Sequence, residues 1–229
     1  AFASESPPRM FIVAPETFGL TPGRDLANAA RSSPSACTTA TLHKEDIVMV
    51  GGKGASLGEM ISNLSEAGVL VPGGFVVTTD GWRRFAEENK LSERIEGRLR
   101  AIDFSSSESL QSLSWGVWQI VEQAAMPRDL VKEIQSAYGI LEQEFHQDVD
   151  VAVRSSAVAE DLGDASFAGQ YETFLNIRGR KDVVTAVHNC FASLFTERAI
   201  SYRHEKSFSL VPEGIAVVVQ KMVRSDRAC

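Results

Sequence analysis

The stretch that decides the fold prediction is Val50-Gly51-Gly52-Lys53-Gly54-Ala55-Ser56-Leu57-Gly58-Glu59-Met60. Glycines open it, and apolar residues then recur at helical spacing, namely Leu57, Met60, Ile61 and Leu64. This pattern predicts a helix that begins just after the glycines. A glycine-rich backbone can approach a phosphate closely, and a helix N-terminus adds exposed N–H groups and the positive end of a dipole.

Lys53 adds a mobile positive charge, which makes this turn a candidate phosphate-binding site. It is not a Walker A loop, because Lys53 is followed by Gly54 and lacks the upstream glycine spacing of that motif. Short glycine motifs are often only flexible turns with a solvated lysine. The interpretation therefore depends on which other motifs accompany the turn.

Strand and helix patterns alternate along the rest of the chain, which favours an α/β (α+β) domain with a mixed β-sheet and flanking helices. Thr78-Thr79-Asp80 offers side chains that can cap a helix carrying Trp82 and Phe85. Apolar stripes predict four more helices, over residues 91–102, 110–124, 130–145 and 183–194. Predicted strands cover residues 69–77 (with a turn inside), 149–154, 173–177 and 215–220.

The first 44 residues differ from the rest, because they are rich in Ser, Pro and Ala and show no sustained period. We expect residues 1–44 to be mostly irregular, with a stray strand at residues 10–13, and residues 45–229 to form the domain. The Ser and Ala content would suit a transit peptide, but the acidic residues and few arginines argue against one. We therefore expect a cytoplasmic protein, with organellar import as the weaker alternative.

Composition narrows the class of partner. The 229 residues carry a net charge of -7, with a pI of about 5.2, which argues against a nucleic-acid or membrane-surface binder. No apolar stretch is long enough to span a membrane. Cys37, Cys190 and Cys229 are odd in number and match no metal-ligand spacing, so we interpret them as free thiols in a reducing compartment.

Three further clusters are suited to a nucleotide. In Val153-Arg154-Ser155-Ser156-Ala157, an arginine at a strand end and two hydroxyls can hold phosphate oxygens, although a salt-bridged arginine is as common. Small residues flank Phe167 in a loop, residues 159–170, that either folds over a ligand or is a surface hairpin. The strand before Gln220-Lys221-Met222-Val223 can present backbone groups to an adenine edge, although such strands are usually core.

Together and in this order, these clusters resemble the motifs of the phosphoenolpyruvate synthase (pyruvate, water dikinase) family. The resemblance covers about residues 45 to 229 and is specific, because the motifs are long and colinear. Beside the glycine motif quoted first, it is carried by Val71-Pro72-Gly73-Gly74-Phe75, Val153-Arg154-Ser155-Ser156-Ala157-Val158-Ala159-Glu160-Asp161, Ala165-Ser166-Phe167-Ala168-Gly169-Gln170-Tyr171-Glu172-Thr173-Phe174-Leu175-Asn176, Phe191-Ala192-Ser193-Leu194-Phe195, Arg198-Ala199-Ile200-Ser201-Tyr202-Arg203 and Gln220-Lys221-Met222-Val223-Arg224-Ser225-Asp226.

The resemblance implies an ATP-grasp domain that binds ATP. In the family, ATP phosphorylates a histidine on a mobile middle domain, which swings to a barrel where pyruvate becomes phosphoenolpyruvate. Lys53 and Arg154 would be the catalytic residues, holding the ATP phosphates. The loop with Ser166, Ala168 and Gly169 would close over the phosphates. Thr173 would also contact ATP, and Gln220, Met222 and Val223 would line the adenine site.

The chain departs from the family in what it contains. The family's Mg²⁺-binding acidic residues follow the adenine connector, so we expect the Mg²⁺ ligands beyond Cys229 and assign no metal ligand here. His43, His146, His188 and His204 lie outside the Gly-rich Thr-x-His context of the phosphorylated histidine. We expect the chain alone to be inactive, with pyruvate a substrate only of the full-length enzyme.

Two alternatives stay open. The same motifs occur in pyruvate, phosphate dikinase, rifamycin phosphotransferase and the glucan dikinases, and we expect the parts that select the phosphoryl acceptor to lie outside this sequence. The other alternative is a non-catalytic module that binds a nucleotide or a partner protein. Half a nucleotide cleft would leave apolar strand surface exposed, which favours partner binding or a homo-oligomer.

Overall fold

A computed structural model describes residues 11–13, 37–38, 42, 46–65, 71–157, 172–212 and 214–223. Six strands lie within these residues: β1 (Phe11–Val13), β2 (Cys37–Thr38), β3 (Gly74–Val77), β4 (Val151–Ala157), β5 (Thr173–Ile177) and β6 (Ile215–Lys221). The same residues contain seven helices: α1 (Ile47–Ser65), α2 (Thr79–Glu88), α3 (Leu91–Arg100), α4 (Ser107–Glu122), α5 (Arg128–Glu144), α6 (Arg180–Ser193) and α7 (Glu197–Glu205).

The strands form one mixed sheet in the order β2-β1-β3-β6-β4-β5. β1 and β2 pair in parallel, and all other neighbours pair antiparallel. Gln220 of β6 lies opposite Gly74 of β3 on one side and Ala152 of β4 on the other. The first five residues of β6 are buried, because a central strand covered on both faces has no solvent side.

Helices α2 to α7 supply the larger core, which covers one face of the sheet. The strands contribute every second residue to it, including Val151 and Val153 of β4. Its centre is aromatic, with the Trp82 and Phe85 rings lying 5.5 Å and 5.4 Å from the Phe191 ring. Large buried rings of this kind dominate core energetics, so this face holds most of the stabilising apolar contact.

Helix α1 lies against the opposite face and forms a smaller core with the alternate strand residues. That cluster contains Leu42, Val50, Ala55, Leu57, Ile61, Val76, Ala216 and Val218. The helix covers β3 and β6 but leaves part of β4 and β5 open, since Arg154, Thr173 and Leu175 are exposed. This open area is where a ligand can reach the sheet.

The structure confirms an α/β fold of mixed sheet and flanking helices, with the four predicted helices at α3 to α6. Ser106 caps α4, because its Oγ accepts a hydrogen bond from the Ser109 N–H at 3.2 Å. The capping prediction for α2 is wrong in detail, since Thr78 makes no side-chain cap hydrogen bond. Thr79 instead donates from its Oγ1 to the Val48 carbonyl at 3.1 Å. Of the strand predicted at residues 69–77, residues 71–73 are irregular and the strand begins at Gly74.

Two short elements were not expected from the sequence. Strand β2 adds a second pairing in the N-terminal segment, beside β1 at the predicted stray strand. Helix α7 lacks an apolar stripe and buries Arg203, whose Nη2 donates to the Leu194 carbonyl at 2.6 Å. Thr196 caps this helix by accepting the Ala199 N–H at 3.3 Å. A helix held by a cap and a buried arginine gives little periodic signal.

Cys190 is a free and buried thiol, as predicted, and burial raises its pKa well above the ordinary value. The side chain of Cys37 and the whole of Cys229 lie outside the described residues. Over the described part of the chain, every helix is too short or too polar to cross a membrane.

Candidate nucleotide site

Gly51 divides helix α1 into a first turn, residues 47–50, and a longer segment, residues 52–65. Its φ of 68° lies in the left-handed region, which favours glycine. A Cβ here would lie 2.1 Å from the Ser156 carbonyl oxygen, so the available space also requires glycine. The prediction of a helix starting after the glycines is therefore wrong. Only Gly51 breaks the helix, and Lys53 lies in the first turn of the longer segment.

Ser156 fastens this break to strand β4. Its buried Oγ donates to the Val50 carbonyl at 2.8 Å and accepts the Gly54 N–H at 3.1 Å. The second bond satisfies one of the amides that have no partner inside the helix at its N-terminus. Ser155 points to the other face and donates to the Glu172 carbonyl at 3.4 Å. The predicted phosphate role of these two hydroxyls is wrong, because both are buried and bonded to backbone.

Lys53 extends from the fastened turn towards β4. Its side chain is exposed, and its Nζ donates to the Ser155 carbonyl at 3.1 Å. The neighbouring Gly54 amide is held by Ser156, so the same contact that fixes the helix start also fixes the base of the lysine side chain. The ammonium group is thus placed against the residue that follows Arg154.

Arg154 is the exposed residue in the middle of the otherwise buried strand β4. It is not at a strand end, as the sequence suggested, because β4 continues to Ala157. It lies opposite Thr173 of β5 and Val218 of β6. Directly opposite residues point to the same face, so Arg154 and Thr173 share the open area beside α1. Both residues are exposed there, and the Lys53 ammonium contacts the carbonyl of the residue that follows Arg154.

Gln220 belongs to the same face, because it lies opposite Ala152, two residues from Arg154. Two residues correspond to about 7 Å along a strand. The Gln220 side chain donates from its Nε2 to the Pro72 carbonyl at 3.1 Å. Arg154, predicted to contact phosphate, and Gln220, predicted to contact adenine, are thus separated along one sheet face. A ligand with a charged end and an apolar end requires such a separation.

The connector after β6 is partly used by the fold itself. The Met222 N–H donates to the Asp150 carbonyl at 2.9 Å, so this donor already has a protein partner. Met222 is half-buried, whereas Val223 is 65% exposed. The connector therefore offers apolar side chains for a ring face.

The predicted loop residues Ser166, Ala168 and Gly169 lie outside the described residues, and their roles stay predictions. Within the described ranges, no group of three or more His, Cys, Asp or Glu side chains is placed to hold a metal ion.

Ser156 is the site residue whose role the sequence analysis missed. The signal available was its position two residues after Arg154, which puts it on the same face.

Residues 47–229 match the family model for the pyruvate phosphate dikinase AMP/ATP-binding domain, which is most of the chain. The chain belongs to this family. The resemblance to phosphoenolpyruvate synthases is confirmed as well. The chain is 49% identical over 183 residues to a phosphoenolpyruvate synthase of Aquifex aeolicus, covering 80% of this chain and 21% of that protein.

Other phosphoenolpyruvate synthases give the same result. The protein from Deinococcus radiodurans is 47% identical over 186 residues, which are 81% of this chain and 23% of that protein. A probable phosphoenolpyruvate synthase of Methanocaldococcus jannaschii is 46% identical over 188 residues, covering 82% of this chain and 16% of that protein. The chain thus spans less than a quarter of the length of these curated relatives.

Proposed function

We propose that this chain is the ATP-binding portion of a phosphoenolpyruvate synthase-like phosphotransferase, and that Lys53 and Arg154 hold the ATP phosphates. In full-length form, the enzyme would convert ATP, pyruvate and water into AMP, phosphoenolpyruvate and phosphate. The family match and the named relatives support this assignment.

The observation that carries the proposal is that Lys53, from a separate element, reaches the backbone of β4 beside Arg154. Lys53 comes from a helix start and Arg154 from the middle of β4, yet the Lys53 ammonium contacts the carbonyl of the residue after Arg154. Positive charges contributed to one open area favour the binding of a ligand that carries several negative charges. A triphosphate is such a ligand, and the adjacent helix start adds the positive end of its dipole.

The chemistry that these residues supply is positioning and charge neutralisation. In phosphoryl transfer the protein does little covalent chemistry, and stabilising the charge on the transferring group dominates catalysis. Arg154 offers a planar fork that can contact two phosphate oxygens at once, whereas Lys53 is a compact charge that can follow one oxygen. Thr173, opposite Arg154, adds a hydroxyl donor on the same face.

The adenine end would lie at Gln220, Met222 and Val223. The spacing of about 7 Å along the strand between Arg154 and the level of Gln220 supports this direction for the bound nucleotide. Met222 and Val223 would pack against the ring. Ser166, Ala168 and Gly169 would close over the phosphates.

Further parts of the proposal rest on the family and not on the described residues. Mg²⁺ would neutralise phosphate charge. The described residues contain no cluster of three or more side chains placed to hold it. A cytoplasmic location, pyruvate as the acceptor substrate and a homo-oligomer belong to the same proposal. The named relatives favour the synthase over the related dikinases and over a non-catalytic module.

Calorimetric titration of Mg-ATP into this chain tests the proposal. We expect Lys53→Ala and Arg154→Ala each to weaken ATP binding by about tenfold or more, as loss of a charge-assisted hydrogen bond does. Lys132→Ala is the matched control, because Lys132 is an exposed lysine on α5 whose ion pair is with Asp129 at 3.9 Å. This control should bind ATP like the parent chain.

Adenosine separates phosphate contacts from ring contacts. The Arg154→Ala variant should bind adenosine like the parent chain, because only the phosphate contact is removed. Equal ATP affinity for parent and Arg154→Ala chains, both folded by circular dichroism, would refute the assigned role.

A further inference from the structure

A cavity of about 630 Å³ opens beside helix α4. Helix α4 forms one wall, and Glu172 and the junction between α6 and α7 form the other. Its described lining residues are Glu108, Gln111, Ser112, Ser114, Trp115, Trp118, Glu172, Phe195, Thr196 and Glu197. The volume falls within the range of small-molecule sites. Among the described residues assigned to ATP, none lines this cavity.

Two stacked indoles form the most unusual part of this cavity. The Trp115 and Trp118 ring centroids are 4.9 Å apart, and the ring planes differ by 12°. Trp118 packs against the larger core, whereas Trp115 is 56% exposed. A large aromatic ring left open at a cavity mouth is typical of binding surfaces. The stack holds the exposed ring in a fixed orientation.

The charged side chains that line the cavity are all acidic in the described part of the chain. Glu108, Glu172 and Glu197 line the cavity, and no basic residue appears among its described lining residues. Glu108 and Glu197 lie in the first turns of α4 and α7, where the helix dipole stabilises a carboxylate without any ligand. Glu172 belongs to no helix, so a helix dipole does not explain a carboxylate at this position. An anionic ligand such as a nucleotide would be repelled here.

We propose that this cavity binds a small ligand bearing a guanidinium group. A guanidinium is planar and stacks on aromatic faces, and tryptophan gives the strongest cation–π contact. The carboxylates supply the opposite charge and accept its N–H groups. The described lining residues differ from the described residues assigned to ATP, so this proposal does not depend on the proposed nucleotide site.

The test uses n-butylguanidinium as the probe and n-butylurea as a neutral control of the same shape. NMR follows the indole N–H signals of the three tryptophans. The probe should shift the Trp115 and Trp118 signals to saturation and leave Trp82 unchanged, because Trp82 is 3% exposed in the core. Raised ionic strength should weaken the binding. n-Butylurea should produce much smaller shifts.

Two variants complete the test. Trp115→Leu keeps an apolar side chain and should weaken binding by about threefold to thirtyfold, the range of cation–π contacts. Glu197→Gln should weaken it by about threefold, whereas Glu93→Gln, another first-turn glutamate outside the cavity, should not. Equal shifts with n-butylurea, unchanged affinity in Trp115→Leu, or no saturable shift would each overturn the proposal. Mg-ATP binding should stay at the parent level in every variant, whichever result is obtained.

Discussion

The two faces of the sheet differ in what covers them, and strand β4 belongs to both. Val151 and Val153 point into the core built by α2 to α7 and are fully buried. Arg154 and Ser156 alternate with them on the opposite face, where Arg154 is exposed and the buried Ser156 contacts α1. One strand therefore carries stability on its odd positions and the proposed nucleotide site on its even positions. Substitutions on the two faces should separate folding free energy from ATP affinity.

The largest expected effect is on the helix-covered face. Phe191 is fully buried and contacts the Trp82 and Phe85 rings. Phe191→Ala should lower the free energy of unfolding by about 3–5 kcal/mol, because it removes apolar contact and leaves a cavity. Urea denaturation measures this change. ATP affinity of the folded protein should stay unchanged, since Phe191 lies on the other face from Arg154.

Leu175→Ala is the control for that prediction. Leu175 lies on β5 and is 50% exposed, so its truncation should change the unfolding free energy by less than about 0.5 kcal/mol. A comparable loss from both substitutions would contradict the division of stability between the faces.

The second prediction compares two adjacent serines that point to opposite faces. Ser156→Ala removes the acceptor of the Gly54 N–H and should cost about 1–3 kcal/mol, because a buried donor is left without its partner. It should also weaken ATP binding, since the helix start that places Lys53 is released. Calorimetry and urea denaturation measure the two effects.

Ser155→Ala is the matched variant for Ser156→Ala. Ser155 contacts Lys53 through its backbone carbonyl, which the substitution keeps. Among the described residues, its hydroxyl donates to the Glu172 carbonyl at the long distance of 3.4 Å, so we expect a small loss of stability and normal ATP affinity. If Ser155→Ala weakens ATP binding as much as Ser156→Ala does, the contact with Gly54 and Val50 is not what positions the lysine.

Much of the fold was predictable because its signals are local. The stripes of α3 to α6 report one apolar face each, and these helices pack as the period indicates. Helix α7 was missed because Arg203 occupies a buried position, and a charged residue there breaks the period. The break at Gly51 was misplaced because Gly51, Gly52 and Gly54 look alike in sequence. In the structure, Gly51 differs from the other two by its φ of 68° and by the Ser156 carbonyl oxygen, which would lie 2.1 Å from an added Cβ.

The site was less predictable than the fold, because its geometry is set by strand order. Lys53 and Ser155 are far apart in sequence, and nothing local indicates that they touch. The hydroxyls of Ser155 and Ser156 suggested phosphate binding by their type alone. The strand alternation that buries them becomes visible only once Arg154 is known to lie in mid-strand. The family resemblance indicated the site residues, and the strand order explains why Arg154, Thr173 and Gln220 lie on one face of the sheet.

The smallest expected effect concerns a titratable group on the helix-covered face. His188 of α6 packs edge-on against the Phe85 ring, with its Nε2 3.1 Å from the Val121 carbonyl oxygen. Burial lowers the pKa of His188 below its ordinary value of about 6.5, and this outweighs the opposite influence of Val121 and Glu122. The unfolded chain therefore binds a proton more readily than the folded chain, and stability falls as the pH drops below about 6.5.

His188→Gln should reduce this acid sensitivity by less than about 1 kcal/mol between pH 7.5 and 5.5, because the side chain is only partly buried and solvent screens its charge. Urea denaturation of both proteins at the two pH values measures the difference. Burial raises the pKa of Glu133 and of Glu144, which has the opposite effect on stability, but these groups are the same in both proteins and cancel. If the two proteins lose equal stability on acidification, His188 titrates alike in the folded and unfolded chains, and the helix-covered face carries no pH dependence of its own at this position.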